Sequence, residues 1–108
     1  MTKALTKRAR AKLMKSVTHD WEMSDDSFSR TLTFCDFIAA FMFVTRVVVH
    51  AEVLHLYPRI LIEGNCVTIQ IRTSSADSLI AEKCNLTKQI DTIFALSTTT
   101  NKKQLVKR

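Results

Sequence analysis

Residues 36–54, DFIAAFMFVTRVVVHAEVL, contain neither glycine nor proline, and the whole chain has one of each, Gly64 and Pro58. A breaker-free stretch of this length reads as a helix. It must end before Pro58, because a proline ring disfavours helical geometry in the residue ahead of it. The surface of that helix is what constrains the fold. Phe37, Phe41, Val44, Val48 and Ala51 fall on one face, and Ile38, Met42, Val49 and Val53 on another. A helix apolar nearly all round needs cover on two sides. A sheet supplies one. In a chain of 108 residues, the size of one small domain, the second cover is read as another subunit. The strongly apolar part holds Arg46 and falls short of the roughly 20 residues that cross a bilayer, so no membrane span is expected.

On either side of this helix the period changes to two. In SFSRTLTF, residues 27–34, Phe28, Arg30, Leu32 and Phe34 point one way while Ser29, Thr31 and Thr33 point the other, the pattern of a half-buried strand. Residues 19–23 read as a shorter strand, joined to it through the turn-forming Ser24-Asp25-Asp26. After Pro58, Arg59 to Glu63 and Cys66 to Thr73 form a second hairpin around Gly64-Asn65, with Val67, Ile69 and Ile71 inward. A last helix is expected from about Ile80 to Leu96, with Leu79, Lys83, Leu86, Ile90, Ile93 and Phe94 near one stripe. At the start, Leu5, Ala9, Leu13 and Val17 are spaced as on a first helix. The expected fold is therefore α+β, in the order α-β-β-α-β-β-α: one four-stranded antiparallel sheet with three helices on one face. A single domain over residues 1–97 is followed by a basic, frayed tail, 98–108.

The formal charge of +6 sits in the ends. Residues 1–15 and 101–108 hold ten of the 16 Lys and Arg and none of the ten Asp and Glu, which leaves the middle net acidic. Basicity confined to solvated ends, with no aromatic–basic interleaving in the middle, argues against a nucleic-acid face. Cys35, Cys66 and Cys84 are an odd number with no C-x-x-C pair, so reduced thiols in an intracellular, cytoplasmic setting are expected. The alternative for the acid-free start, MTKALTKRARAKLMKS, is a mitochondrial leader. Neither the cysteines nor His19, His50 and His55 have metal-ligand spacing, and no phosphate-cradling glycine motif is present, so no metal and no cofactor is expected.

The order of elements and a set of spaced residues together resemble the pterin-4a-carbinolamine dehydratase family, from about Leu5 to Asp91. The residues are His19-Asp20-Trp21, Arg30-x-x-x-Phe34-x-Asp36-Phe37-x-x-Ala40-Phe41-Met42, Val47, Ala51-Glu52 and Pro58. They continue in Val67, Ile69, Ile71, Thr73, Leu79, Leu86 and Ile90-Asp91. The resemblance implies dehydration of a 4a-hydroxytetrahydropterin to the quinonoid dihydropterin, a step in tetrahydrobiopterin recycling, by a homodimer or homotetramer built through the long helix and the sheet edges.

The family carries a His-His-Pro triplet after the long helix and a Thr-His pair after the fourth strand. Here the aligned residues are Leu56-Tyr57-Pro58 and Thr73-Ser74, and Lys83 stands where an acid usually lies early in the last helix. Read through the resemblance, His55 carries the protons from one residue away, with Tyr57 as hydrogen-bond donor and Glu52 as orienter. Pro58, Thr73 and Ser74 are the substrate-binding candidates. Tyr57 does not replace a histidine as base, since a phenol titrates near pH 10 and loss of one acid–base group costs on the order of 10²–10⁴ in rate. The second reading is a catalytically weak assembly or regulatory module of the same fold, working through its apolar helix.

Overall fold

The computed structural model describes residues 8, 9, 12, 15, 17, 20–24, 26–74 and 79–106, the last nine of these for their backbone only. In chain order the elements are β1 (Glu22–Met23), β2 (Ser27–Thr33), α1 (Phe37–Val53), β3 (Arg59–Glu63), β4 (Cys66–Arg72) and α2 (Ile80–Val106). The four strands form one antiparallel sheet in the order β1-β2-β4-β3, so the two hairpins lie side by side with β2 against β4.

The strands fall where the alternation places them, with β1 reduced to Glu22–Met23 and β2 and β4 each one residue shorter than expected. Phe28, Leu32, Val67, Ile69 and Ile71 are buried, and the register pairs Phe28 with Ile71, Arg30 with Ile69 and Leu32 with Val67. Period two delivers one apolar face, and pairing in register makes that face continuous across the sheet centre. The β3–β4 loop is Gly64-Asn65, with a positive φ of 58° at Gly64 alone, the pattern of a type II′ turn. Asn65 Nδ2 donates to the Phe34 carbonyl at 2.8 Å, and the Phe34 N–H returns a bond to the Asn65 carbonyl. The loop of one hairpin is thus tied to the end of the other.

The helix count is corrected. Among the described residues there are two helices, not three, and the order is β-β-α-β-β-α rather than α-β-β-α-β-β-α. Arg8, Ala9, Lys12 and Lys15 have helical backbone, but most of residues 1–19 lie outside the described residues and no helix is delimited there. The spacing of Leu5, Ala9, Leu13 and Val17 is a thin stripe on a basic segment. Of these, Val17 reaches the core and Ala9 is half-buried.

In α1 the buried stripe is Ala40, Phe43, Val47 and Ala51, at helical spacing. The two alanines let the helix approach the sheet, while Phe43 meets Phe34 with ring centroids 4.9 Å apart and Phe94 of α2 edge-on at 6.1 Å. The Asp36 carboxylate caps the first turn, accepting from the Ala39 N–H at 2.7 Å. In α2 the inward stripe is Ile80, Cys84, Leu86, Thr87, Ile90 and Ile93, a residue away from the expected Leu79–Lys83 edge. Cys84 packs as a small apolar group, and buried Thr87 satisfies its hydroxyl on the Cys84 carbonyl at 2.6 Å. The helix runs to Val106 rather than ending near Leu96, since no glycine or proline interrupts it.

One polar cluster stands inside this core. Asp91 of α2 accepts from Trp21 Nε1 at 2.8 Å and from Arg30 Nη1. The Arg30 guanidinium also lies 3.7 Å from the Asp20 carboxylate and 5.1 Å from the centre of the Phe94 ring. Removing the central acceptor strands a mostly buried arginine and an indole N–H. Asp91→Ala is expected to lower stability by about 3 kcal/mol and to red-shift the emission of Trp21. Asp20→Ala, on an exposed carboxylate, should cost less than about 1 kcal/mol. Equal losses in urea unfolding would contradict the role given to Asp91.

Candidate functional site

The site begins where α1 ends. Leu54 closes the helix with αR geometry, and His55 then takes a positive φ of 56°. The His55 N–H donates to the Glu52 carbonyl at 3.0 Å and the Leu56 N–H to the Ala51 carbonyl at 2.9 Å. This bond pair is a Schellman motif, in which the left-handed position usually holds glycine. Leu56 is driven into the core, 4% exposed, and its burial fixes the reversal. The chain then passes through Tyr57 and Pro58 in non-helical geometry, as a proline requires of its neighbour, and enters β3.

Three segments converge beside this turn. His55, Leu56, Tyr57, Pro58 and Arg59 line a cavity of about 350 Å³ together with Ile71 and Arg72 at the end of β4 and Leu79 and Lys83 at the start of α2. Its volume lies at the lower end of the range for small-molecule sites, roughly 300–1,000 Å³. Lys83 Nζ donates to the Arg72 carbonyl at 2.7 Å and joins α2 to the strand end.

Of the residues singled out from the sequence, His55, Tyr57 and Pro58 share this cavity. Glu52 stands one turn back on α1 and accepts from the Tyr57 hydroxyl at 3.3 Å. The negative charge of Glu52 raises the Tyr57 pKa above its ordinary 10, and desolvation and the hydrogen bond act in the same direction. Tyr57 is therefore a proton donor in a hydrogen bond through the neutral range and no base. Thr73 and Ser74 are not among the lining residues. Thr73 is buried, 7% exposed, with its N–H on the Asp26 carbonyl at 2.7 Å, and its hydroxyl has no hydrogen-bond partner among the described residues. Ser74 is exposed. His19 lies outside the described residues.

The sequence reading missed Leu56 as the anchor of the turn and Arg59 and Arg72 as cavity residues. For Leu56 a signal was present, an apolar residue between two polar ones just after a helix. For the arginines there was none, because strand alternation gives only a face.

A larger cavity, about 720 Å³, lies between the helices, with Arg46, Val49 and His50 on one side and Lys88, Thr92 and Leu96 among those on the other. It contains none of the candidate residues. His50 Nδ1 lies 3.0 Å from the Arg46 carbonyl. Among the described residues, no three His, Cys, Asp or Glu side chains are grouped to hold a metal, and no helix is long and apolar enough to cross a membrane.

The family model for pterin 4 alpha carbinolamine dehydratase matches residues 3–93 of the chain. A protein of Rhizorhabdus wittichii is 39% identical over 77 residues, 69% of this chain and 78% of that one. A protein of Nocardia farcinica is 39% identical over 72 residues, 67% of this chain and 76% of that one. Both are provisionally named pterin-4-alpha-carbinolamine dehydratases. The crystal structure of a Brucella melitensis protein described as a transcriptional coactivator/pterin dehydratase matches with a TM-score of 0.55 at 23% identity, over 78% of this chain and 97% of that one, a likeness of fold.

A left-handed residue with a side chain costs on the order of 1–2 kcal/mol, part of which glycine returns as lost chain entropy. His55→Gly should therefore stabilise the protein by about 1 kcal/mol, read as a higher urea midpoint at unchanged slope. A destabilised His55→Gly would mean that the imidazole makes contacts worth more than the backbone cost.

Proposed function

The chain belongs to the pterin 4 alpha carbinolamine dehydratase family, and on that premise we propose that it dehydrates a 4a-hydroxytetrahydropterin to the quinonoid dihydropterin, the step that returns a spent pterin cofactor to use. The observation that carries this reading is the cavity at the end of α1, lined by His55, Tyr57 and Pro58. The reaction expels the hydroxyl on C4a as water while a ring nitrogen gives up a proton. Both transfers suit an imidazole, the side chain whose reference titration lies nearest neutral pH.

In this reading His55 takes the ring proton and delivers one to the departing hydroxyl. Its left-handed backbone fits that role, since strained residues collect at functional sites. Tyr57 donates a hydrogen bond to the substrate, and Glu52, already its partner, sets the direction of the hydroxyl. Pro58 forms an apolar wall, while Thr73 and Ser74, the other binding candidates, follow β4 outside the lining and would reach a substrate only if that segment moved. With one histidine in the turn where the family carries two, a slower enzyme is expected. The reaction runs in an intracellular, reducing compartment, in keeping with three free thiols.

A second reading, assembly or regulation with weak catalysis, is supported by the outer surface of α1. Phe37, Ile38, Phe41, Met42, Val49 and Val53 are each more than half exposed there. A contiguous apolar face of that kind marks an interaction surface. We infer that the chain is a homodimer or homotetramer through α1 and the sheet edges β1 and β3.

The enzyme reading is tested with freshly prepared 4a-hydroxytetrahydropterin against the spontaneous rate. Acceleration is expected, falling on the order of 10²-fold or more in His55→Ala and less in Tyr57→Phe. Acceleration that survives His55→Ala would refute the role of His55, and none at all would leave the assembly reading. For assembly, light scattering should give a dimer or larger for the native chain and one chain's mass for Phe41→Glu. A native monomer would refute it.

A further inference from the structure

We propose that the cavity at the end of α1 is adapted to a pterin bearing an anionic side chain, with a phosphate monoester as the fitting chemistry. This rests on that cavity being the pterin site. Its lining includes Arg59, Arg72 and Lys83 and no Asp or Glu. The middle of the chain is net acidic, so this concentration of positive charge is local and runs against its surroundings.

The register explains how two of the cations act together. Arg59 of β3 pairs with Gln70 of β4, and Arg72 lies two residues further along β4. Both side chains therefore leave the sheet on the same side, the face opposite Ile71, as diagonal neighbours, and both residues border the cavity at the strand ends. Neither has a carboxylate within ion-pair distance among the described residues, whereas Arg30 is held by Asp91 and Asp20. The nearby carboxylate of Glu52 is bound to the Tyr57 hydroxyl. Lys83, also in the lining, adds its charge from α2, held to the end of β4 through the Arg72 carbonyl.

The shape is consistent with this division of labour. Leu56, Pro58, Ile71 and Leu79 supply the apolar walls that a flat heterocycle needs, and the guanidinium groups stand on exposed residues at the strand ends. A ring between those walls would carry its side chain out towards Arg59 and Arg72. Guanidinium is the side chain best matched to phosphate oxygens, through paired N–H donors.

The test compares dihydroneopterin with its monophosphate ester by calorimetric titration, in the native chain and in the double variant Arg59→Gln/Arg72→Gln. The ester should bind about tenfold tighter or more at low ionic strength, since hydrogen bonds to charged groups are the strong ones. That advantage should shrink in about 0.5 M salt and fall towards one in the double variant. Equal affinities for ester and parent pterin in the native chain would overturn the proposal and leave the dehydratase reading intact. Binding of neither would overturn the reading of the cavity itself. Inorganic phosphate, run alongside, should bind far more weakly than the ester. If it bound as tightly, the ring would contribute nothing and the proposal would fail.

Discussion

The left-handed turn at His55 is the constraint on which the site depends. The α1 helix is continuous and apolar, and something must end it and send the chain back along the sheet as β3. Two backbone bonds do so, from the His55 N–H to Glu52 and from the Leu56 N–H to Ala51. Leu56 holds the turn shut from within the core. The same reversal presents His55, Tyr57 and Pro58 to the ends of β4 and α2. Helix termination and site construction are thus one local event. A change in that cap would move every cavity residue the turn supplies.

The rest of the fold holds this corner still. The sheet face of Phe28, Leu32, Val67, Ile69 and Ile71 lies against both helices. Asp91 fastens α2 to Arg30 of β2 and to Trp21 in the segment before β1. Lys83 reaches from α2 to the end of β4. The site is therefore made from parts fixed at several points along the sequence, which suits a pocket that must keep its geometry. The outer face of α1 has no such partner among the described residues, and it is there that a second copy or another protein would add buried area.

Much of the sheet was legible in the residues, because period two is a direct statement about faces. The alternation in residues 27–34 and 66–72 predicted which side chains are buried, and Gly64-Asn65 marked the hairpin turn. The helices were less legible. In α1 so many positions are apolar that hydrophobicity could not choose a face, and the small residues Ala40 and Ala51 decided it by letting the backbones approach. In α2, Leu86, Ile90 and Ile93 were legible as core, but Ile80, Cys84 and Thr87 complete the stripe in place of Leu79 and Lys83, and a threonine does not read as a core residue by type. The turn at His55 was hidden for a different reason. A left-handed residue is normally announced by glycine or asparagine, and histidine adopts it only because Leu56 must be buried. Aligned by position, Leu56 falls where the family has a histidine, and it belongs to the core. The arginines of the cavity were invisible because only the register brings Arg59 and Arg72 together.

The central claim is that the cavity at the end of α1, and not the larger groove between the helices, receives the pterin. Titrating dihydroneopterin into isotope-labelled protein and following the backbone amides by NMR tests it directly. The account predicts shifts concentrated at His55, Leu56, Tyr57, Arg59, Ile71, Arg72, Leu79 and Lys83. Shifts centred on Arg46, His50, Lys88 and Thr92, with the His55 turn unmoved, would contradict it.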